Sequence, residues 1–263
     1  MSFNPDRINI KDLTIEEPEQ KQEVFFNPET YITDKDWNDV KNSLEERIKK
    51  SDILEFASIV ADIKIISPDT NIDVDWELFE NKLEDLRGKG EWEELSRLMA
   101  SMKLLNSDYK IDSDQKTWDG VLGLLKDPKI RASDFCRQVE RIKILKPTSR
   151  FDSDIKKKFF DVLKDTNKDR GYASVMFAYQ AERIRIVFPE EKILLDDFMM
   201  EKIIDHLRKD KDKKEWHNFF SLARAIKVLT VERVEVTSNG LEITMIGNLS
   251  ALKSPSIPEV RNF

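Results

Sequence analysis

The chain has one cysteine, Cys136, in 263 residues, so neither an intrachain disulfide nor a cysteine metal cluster can form. Two histidines, His206 and His217, leave little material for imidazole chemistry, and no serine, cysteine or second histidine stands at a telling spacing from either. Seven glycines make phosphate-cradling loops scarce and favour long helices. No uncharged apolar run approaches the ~20 residues that span a bilayer. The first thirty residues are acidic and polar where a secretory signal would be basic and then apolar. These absences predict a cytoplasmic protein with no membrane segment, no cofactor and no catalytic site.

What is present is apolar surface in quantity and charge in abundance, 40% hydrophobic against 36% charged residues. That is enough burial to offset the entropy of ordering, so a folded array is expected in preference to a disordered chain. The net charge of −7 is uneven: residues 1–100 carry 13 Lys/Arg against 25 Asp/Glu, whereas residues 101–263 carry 31 against 26. An acidic chain is a poor non-specific binder of nucleic acid, which depends on many phosphate contacts.

The chain also repeats itself. Five segments end in an apolar residue, a cation and two apolar residues: Ile63-Lys64-Ile65-Ile66, Met102-Lys103-Leu104-Leu105, Ile142-Lys143-Ile144-Leu145, Ile184-Arg185-Ile186-Val187 and Ile226-Lys227-Val228-Leu229. The cations step by 39, 40, 42 and 42 residues, a period typical of stacked two-helix units. Eight residues before each cation stand Phe56, Leu95, Phe135, Phe177 and Phe219. Four before stand Val60, Met99, Val139, Ala181 and Ala223, and one before stand Ile63, Met102, Ile142, Ile184 and Ile226. These offsets fall on one helical stripe, the expected core face of the second helix. The first helix of each unit carries Trp37, Val40, Leu44; Trp76, Phe79, Leu83; Trp118, Val121, Leu125; Phe159, Val162; and, in a changed pattern, Leu195, Phe198, Ile203, Leu207.

Punctuation follows the same period. Pro68, Pro147 and Pro189 sit four residues past a cation, where a helix has ended. Asp73/Asp75, Asp112/Asp114 and Asp152/Asp154 precede first helices, where an aspartate accepts a backbone N–H. The pairs are also candidate hard-cation ligands, but a calcium loop needs six to eight oxygens around a central glycine, so capping is the simpler account. The hairpins are placed at about 34–67, 73–106, 114–146, 153–188 and 195–230.

The expected organisation is an acidic tail or linker over 1–30, a helical-repeat array over 31–230, a β-hairpin cap over 231–247 and a tail over 248–263. Residues 234–245 alternate apolar and polar around Asn239-Gly240, a strong hairpin signal. A turn at those two residues pairs Val236 with Ile243 and Val234 with Met245, over an apolar face that the last repeat would cover.

The aromatic-led helix, charged link, Phe-x-x-x-Val-x-x-Ile-Lys-Ile helix and proline stop resemble αα-hairpin solenoids of the HEAT and armadillo kind over about residues 31–230. The resemblance implies an all-α curved array whose groove or edge binds another macromolecule, protein in the first instance. Nucleic acid is the alternative, through the basic stretch from Arg137 to Arg170 and the five cations. In stacked units Lys64, Lys103, Lys143, Arg185 and Lys227 form a ladder, either a basic stripe for an acidic peptide or phosphate chain, or counter-charges for their own helix ends or for an aspartate at the next helix start. Cys136 lies beside the core aromatic column and reads as a small buried residue, the histidines as surface residues, and the tryptophans as packing between units.

Overall fold

The computed structural model describes residues 31–70, 72–110, 114–166, 173–193, 195–231, 233–237 and 240–244. The two tails and the β-hairpin loop lie outside them. The protein is mostly helical: ten α-helices are followed by a two-stranded antiparallel sheet. The helices pair as α1 (Asp34–Lys49) with α2 (Ile53–Ile66), α3 (Trp76–Lys89) with α4 (Trp92–Leu105), and α5 (Gln115–Gly123) with α6 (Ala132–Leu145). Next come α7 (Ser153–Thr166) with α8 (Ala173–Val187), and α9 (Asp197–Asp212) with α10 (Trp216–Thr230). A 3₁₀ turn, Leu124–Lys126, extends α5.

Helix starts are set by side chains. Thr33 and Asp36 form a capping box on α1, and Asp52, Asp75, Asp114 and Asp196 each accept a backbone N–H at the start of α2, α3, α5 and α9. Of the third aspartate pair it is Asp152 that caps, accepting from the Ile155 N–H at 2.9 Å. Three of the tight links inside hairpins turn through a residue of positive φ, Ser51, Gly90 and Lys214, each followed by the N-cap of an even-numbered helix. Only Gly90 adopts this backbone without crowding from a Cβ.

The even-numbered helices carry the expected core stripe, and all three columns are buried in all five of them. The odd-numbered helices are amphipathic and bury a narrow face, for example Phe79, Leu83 and Leu86 of α3 or Phe159 and Leu163 of α7. In α9 the buried pair is Ile203 and Leu207, and Phe198 is 65% exposed. Stepping back one helical turn from Ile203 leads to Met199 and Met200, which do pack on the core, so the position of Phe198 falls off the stripe.

Neighbour relations decide the architecture. The even-numbered helices touch in the order α2–α4–α6–α8–α10, and α10 also packs directly on α2. They form an inner circuit that closes on itself, with the odd-numbered helices against its outside. Trp37 of α1 stacks on Phe220 of α10 with ring centroids 6.0 Å apart, and Lys211 and Lys214 pair with Asp36 and Asp39 at 3.0 and 2.9 Å. Among the described residues, therefore, the first and last hairpins meet directly, where the expected curved array would leave a free groove.

The strands β1 (Arg233–Thr237) and β2 (Gly240–Thr244) place Val236 opposite Leu241 and Val234 opposite Ile243. This register is two residues away from the one expected from an Asn239-Gly240 turn. An even slip keeps every side chain on its face, so alternation alone does not distinguish the two. The loop residues 238–239 and Met245 lie outside the described residues. Packing anchors the observed register: Val234, Val236 and Leu241 cover Ala100, Ile144, Ile186 and Val228, one residue from each of α4, α6, α8 and α10. The hairpin thus sits across four inner helices, beyond the single last repeat expected to hold it.

Candidate functional site

Aligned on their cations, the inner helices turn a second face toward the ring axis. Positions one residue after the cation are apolar, and four of them, Leu104, Ile144, Ile186 and Val228, meet the hairpin. Positions two, three and six residues before it are mostly polar: Ser58 and Asp62 on α2, Arg97 and Ser101 on α4, Arg137, Glu140 and Arg141 on α6, Tyr179, Glu182 and Arg183 on α8, Ser221 and Arg224 on α10. With Glu182 just behind, these residues surround a cavity of about 450 Å³ that draws its lining from all five inner helices. Its walls run from exposed Glu93 and Asn218, near the helix N-termini, down to Ala100, Leu104 and Ile144, which rest on the hairpin cluster. The hairpin backs the floor and the opposite end opens to solvent.

The deep part of the cavity is a buried ion network centred on Arg224. Its Nε donates to Glu182 Oε1 at 2.6 Å, Nη1 donates to Asp62 Oδ1 at 3.0 Å, and Nη2 lies 3.5 Å from Glu140 Oε1. Arg183 Nε donates to the other oxygen of Glu140 at 3.2 Å, and Ser221 Oγ donates to Asp62 Oδ2 at 2.7 Å. Four inner helices are tied at one guanidinium, whose planar fork suits several carboxylates at once. Burial pushes the Glu182 carboxyl up to about 7 despite the neighbouring Arg224, with the charges of Glu140 and Asp62 adding to the rise. The three surrounding carboxylates hold Arg224 protonated against the opposing effect of its burial.

The α4–α6 wall is different. Among the described residues, Arg97 donates from Nε to Ser58 Oγ at 3.0 Å and has no carboxylate within ion-pair distance. Arg141, whose side chain is only 11% exposed, donates to Glu93 O at 3.1 Å and to Ser96 Oγ and Gln138 Oε1 at 3.4 Å, all neutral acceptors; its nearest carboxylate is that of Glu93 at 3.9 Å. Arg137 pairs with Asp134 at 3.4 Å. Burial, then the charges of Arg137 and Arg97, bring Arg141 down to about 10; burial, then Arg183, lowers Arg137. Arg97 and Arg141, hydrogen-bonded to neutral acceptors and crowded by a neighbouring guanidinium, are the arrangement that an entering anion relieves.

The five ladder cations are placed elsewhere, on backbone carbonyls at the C-terminal ends of helices. Lys64 donates to Pro68 O, Lys103 to Ser107 O, and Lys143 to Pro147 O and Ser149 O at 2.6 and 3.1 Å. Arg185 donates to Leu229 O and Val231 O at 3.3 and 2.9 Å, and Lys227 to Ile66 O across the closing α10–α2 contact. Lys64, Lys103 and Lys143 thus serve the ends of their own helices, the role expected beside partner binding, whereas Arg185 and Lys227 serve the ends of neighbouring helices. Burial lowers Lys143 and Arg185.

His217, expected at the surface, is instead in the cavity wall. Burial lowers its pKa, and its Nδ1 is buried with no hydrogen-bond partner among the described residues. His206 Nδ1 lies 2.9 Å from Lys202 O on α9. Cys136 is fully buried, and burial pushes its thiol up to about 11, far from nucleophilic. Among the described residues no group of three or more His, Cys, Asp or Glu side chains is placed to hold a metal ion, and no helix is long and apolar enough to cross a membrane.

The cavity residues carry a signal that the repeat alignment contained. Glu140-Arg141, Glu182-Arg183 and Arg224 lie between stripe residues such as Val139 and Ile142, inside otherwise apolar helices. A charge held between two core columns is costly unless paired, so it points to an internal polar site. No protein-family model, curated protein or solved structure matches the chain.

Proposed function

We propose that this protein is a non-enzymatic, cytoplasmic interaction module, an αα-hairpin repeat array closed into a ring, that binds another protein at the mouth of its axial cavity. One observation carries the reading. Five helices converge on a cavity that is charged, backed at one end and open at the other, a concave place with fixed polar groups of the kind that ligands and partners occupy. The recurring cations are engaged with helix-end carbonyls, which leaves the axial face as the better candidate for recognition. The network around Arg224 supports a rigid, preorganised mouth, which lowers the ordering cost of association.

A photo-crosslinking residue placed at exposed Asn218, on the cavity mouth, tests this against one at exposed Lys157 on the outer α7. The expected outcome is a discrete protein adduct from position 218, competed by excess unlabelled protein and missing from position 157. Equal adducts from both positions, adducts to nucleic acid, or substrate turnover by the purified protein would each reject the proposal.

A further inference from the structure

We infer that Arg97, Arg137 and Arg141 form a receptor for an oxyanion group, a phosphate or a carboxylate, that enters the axial cavity. The inference rests on the cavity being the binding site proposed above and names the chemistry that it accepts. Three features carry it. First, Arg97 and Arg141 belong to adjacent inner helices and face one cavity, yet the hydrogen-bond acceptors of both are hydroxyl, amide or backbone oxygens. A guanidinium presents its N–H groups in a fork that matches two oxygens of one anion, so part of this donor capacity is unspent. Second, the deeper carboxylates form their ion pairs elsewhere: Asp62, Glu140 and Glu182 are drawn to Arg224 and Arg183 at 2.6 to 3.5 Å. Glu140 and Glu93 offset the charge of Arg141 only in part, the nearer approach being Glu93 at 3.9 Å. Third, His217 lines the same cavity with a buried Nδ1 that lacks a partner among the described residues, a further polar group available to a bound ligand.

Shape agrees with charge. A volume of about 450 Å³ accommodates a small polyatomic anion together with the group that bears it. The acidic rim residues Glu93 and Glu94 repel a diffuse polyanion, so a compact anionic group is favoured over a long phosphate backbone.

The test uses the purified full chain and two probes, inorganic phosphate and malonate, each titrated at constant ionic strength by calorimetry, with ³¹P line width as a second reading for phosphate. At least one probe is expected to bind at a single site. Arg97→Gln and Arg137→Gln are expected to weaken that binding about tenfold or more each, the order that a charge-assisted contact supplies. Among the described residues Arg97→Gln breaks no ion pair and Arg137→Gln breaks only the partly exposed one with Asp134, and Arg97→Lys provides a folded comparison that keeps the charge and loses the fork. Preference for phosphate assigns a phosphoryl group, and preference for malonate a carboxylate. No saturable binding of either probe, or wild-type affinity retained in both glutamine variants, overturns the inference. These readings do not depend on a protein partner: anion binding without a mouth-directed adduct sinks only the proposed function, and an adduct without anion binding sinks only the inference.

Discussion

Replacing Arg224 by methionine removes the cation on which Asp62, Glu140 and Glu182 converge, while the remaining side chain still fills most of the space. The three carboxylates then fare differently. Glu140 keeps Arg183 at 3.2 Å and Asp62 keeps the Ser221 hydroxyl at 2.7 Å, but Glu182, 1% exposed, loses its hydrogen-bond partner among the described residues. Breaking a buried pair from one side typically costs about 3–5 kcal/mol, because the surviving charge is left in a poor solvent. Because Glu182 titrates near 7 and can take up a proton once the cation is gone, we expect a loss at the lower end of that range at pH 7.5, carried also by Asp62 and Glu140. The loss should shrink toward pH 5.5, where Glu182 takes up a proton and no longer needs the cation. Urea unfolding followed by tryptophan fluorescence and circular dichroism measures it. In a double-mutant cycle Arg224→Met and Glu182→Gln should be non-additive by roughly 0.5–3 kcal/mol, the range for residues in one network. A loss under about 1 kcal/mol, or strict additivity, refutes the claim that this guanidinium ties α10 to the rest of the ring.

Three further outcomes are expected. The Glu182 carboxyl, raised to about 7 in the fold, binds a proton more tightly there than in the unfolded chain. Its stabilising contribution is full below about pH 4.5 and is lost as pH rises through about 7, so wild-type stability relative to Glu182→Gln should fall by roughly 3 kcal/mol over that window; a flat difference contradicts the burial argument. Gly120→Ala should destabilise although alanine is the better helix former, because its Cβ would meet the Trp92 ring at 2.4 Å; the cost of such overpacking is about 1–3 kcal/mol, visible in the melting temperature and in tryptophan emission. Val234→Asp should lower stability by about 3 kcal/mol or more, since it places a carboxylate against Ala100, Ile144, Ile186 and Val228. An unchanged melt would mean that the hairpin does not back the cavity.

Much of the local structure is legible in the sequence because local rules write it. The period of about forty residues, the Phe56–Val60–Ile63 type of stripe and the aspartates before first helices depend on neighbours within a few turns of one chain segment. They reappear as buried columns and capped helix starts. Phe198 shows the limit of that reading: one position off the stripe puts an aromatic in solvent. The hairpin shows another. Alternation identified its apolar face, but the pairing was set by what lay beneath Val234, Val236 and Leu241.

The site was less legible. The recurring cations stood out, and the structure engages them with helix-end carbonyls; the charges of the cavity differ from helix to helix and so leave no repeated letter. Glu182, Arg183 and Arg224 acquire their meaning only beside Asp62, some 160 residues from Arg224 along the chain. By itself the sequence determined a period of about forty residues and which face of each even-numbered helix is core, because periodicity is a property of short stretches. Tertiary structure alone decided that α10 meets α2, that a cavity opens on the axis and that the hairpin backs it. Closure is the accumulated sum of small rotations between units, and no single residue encodes a sum.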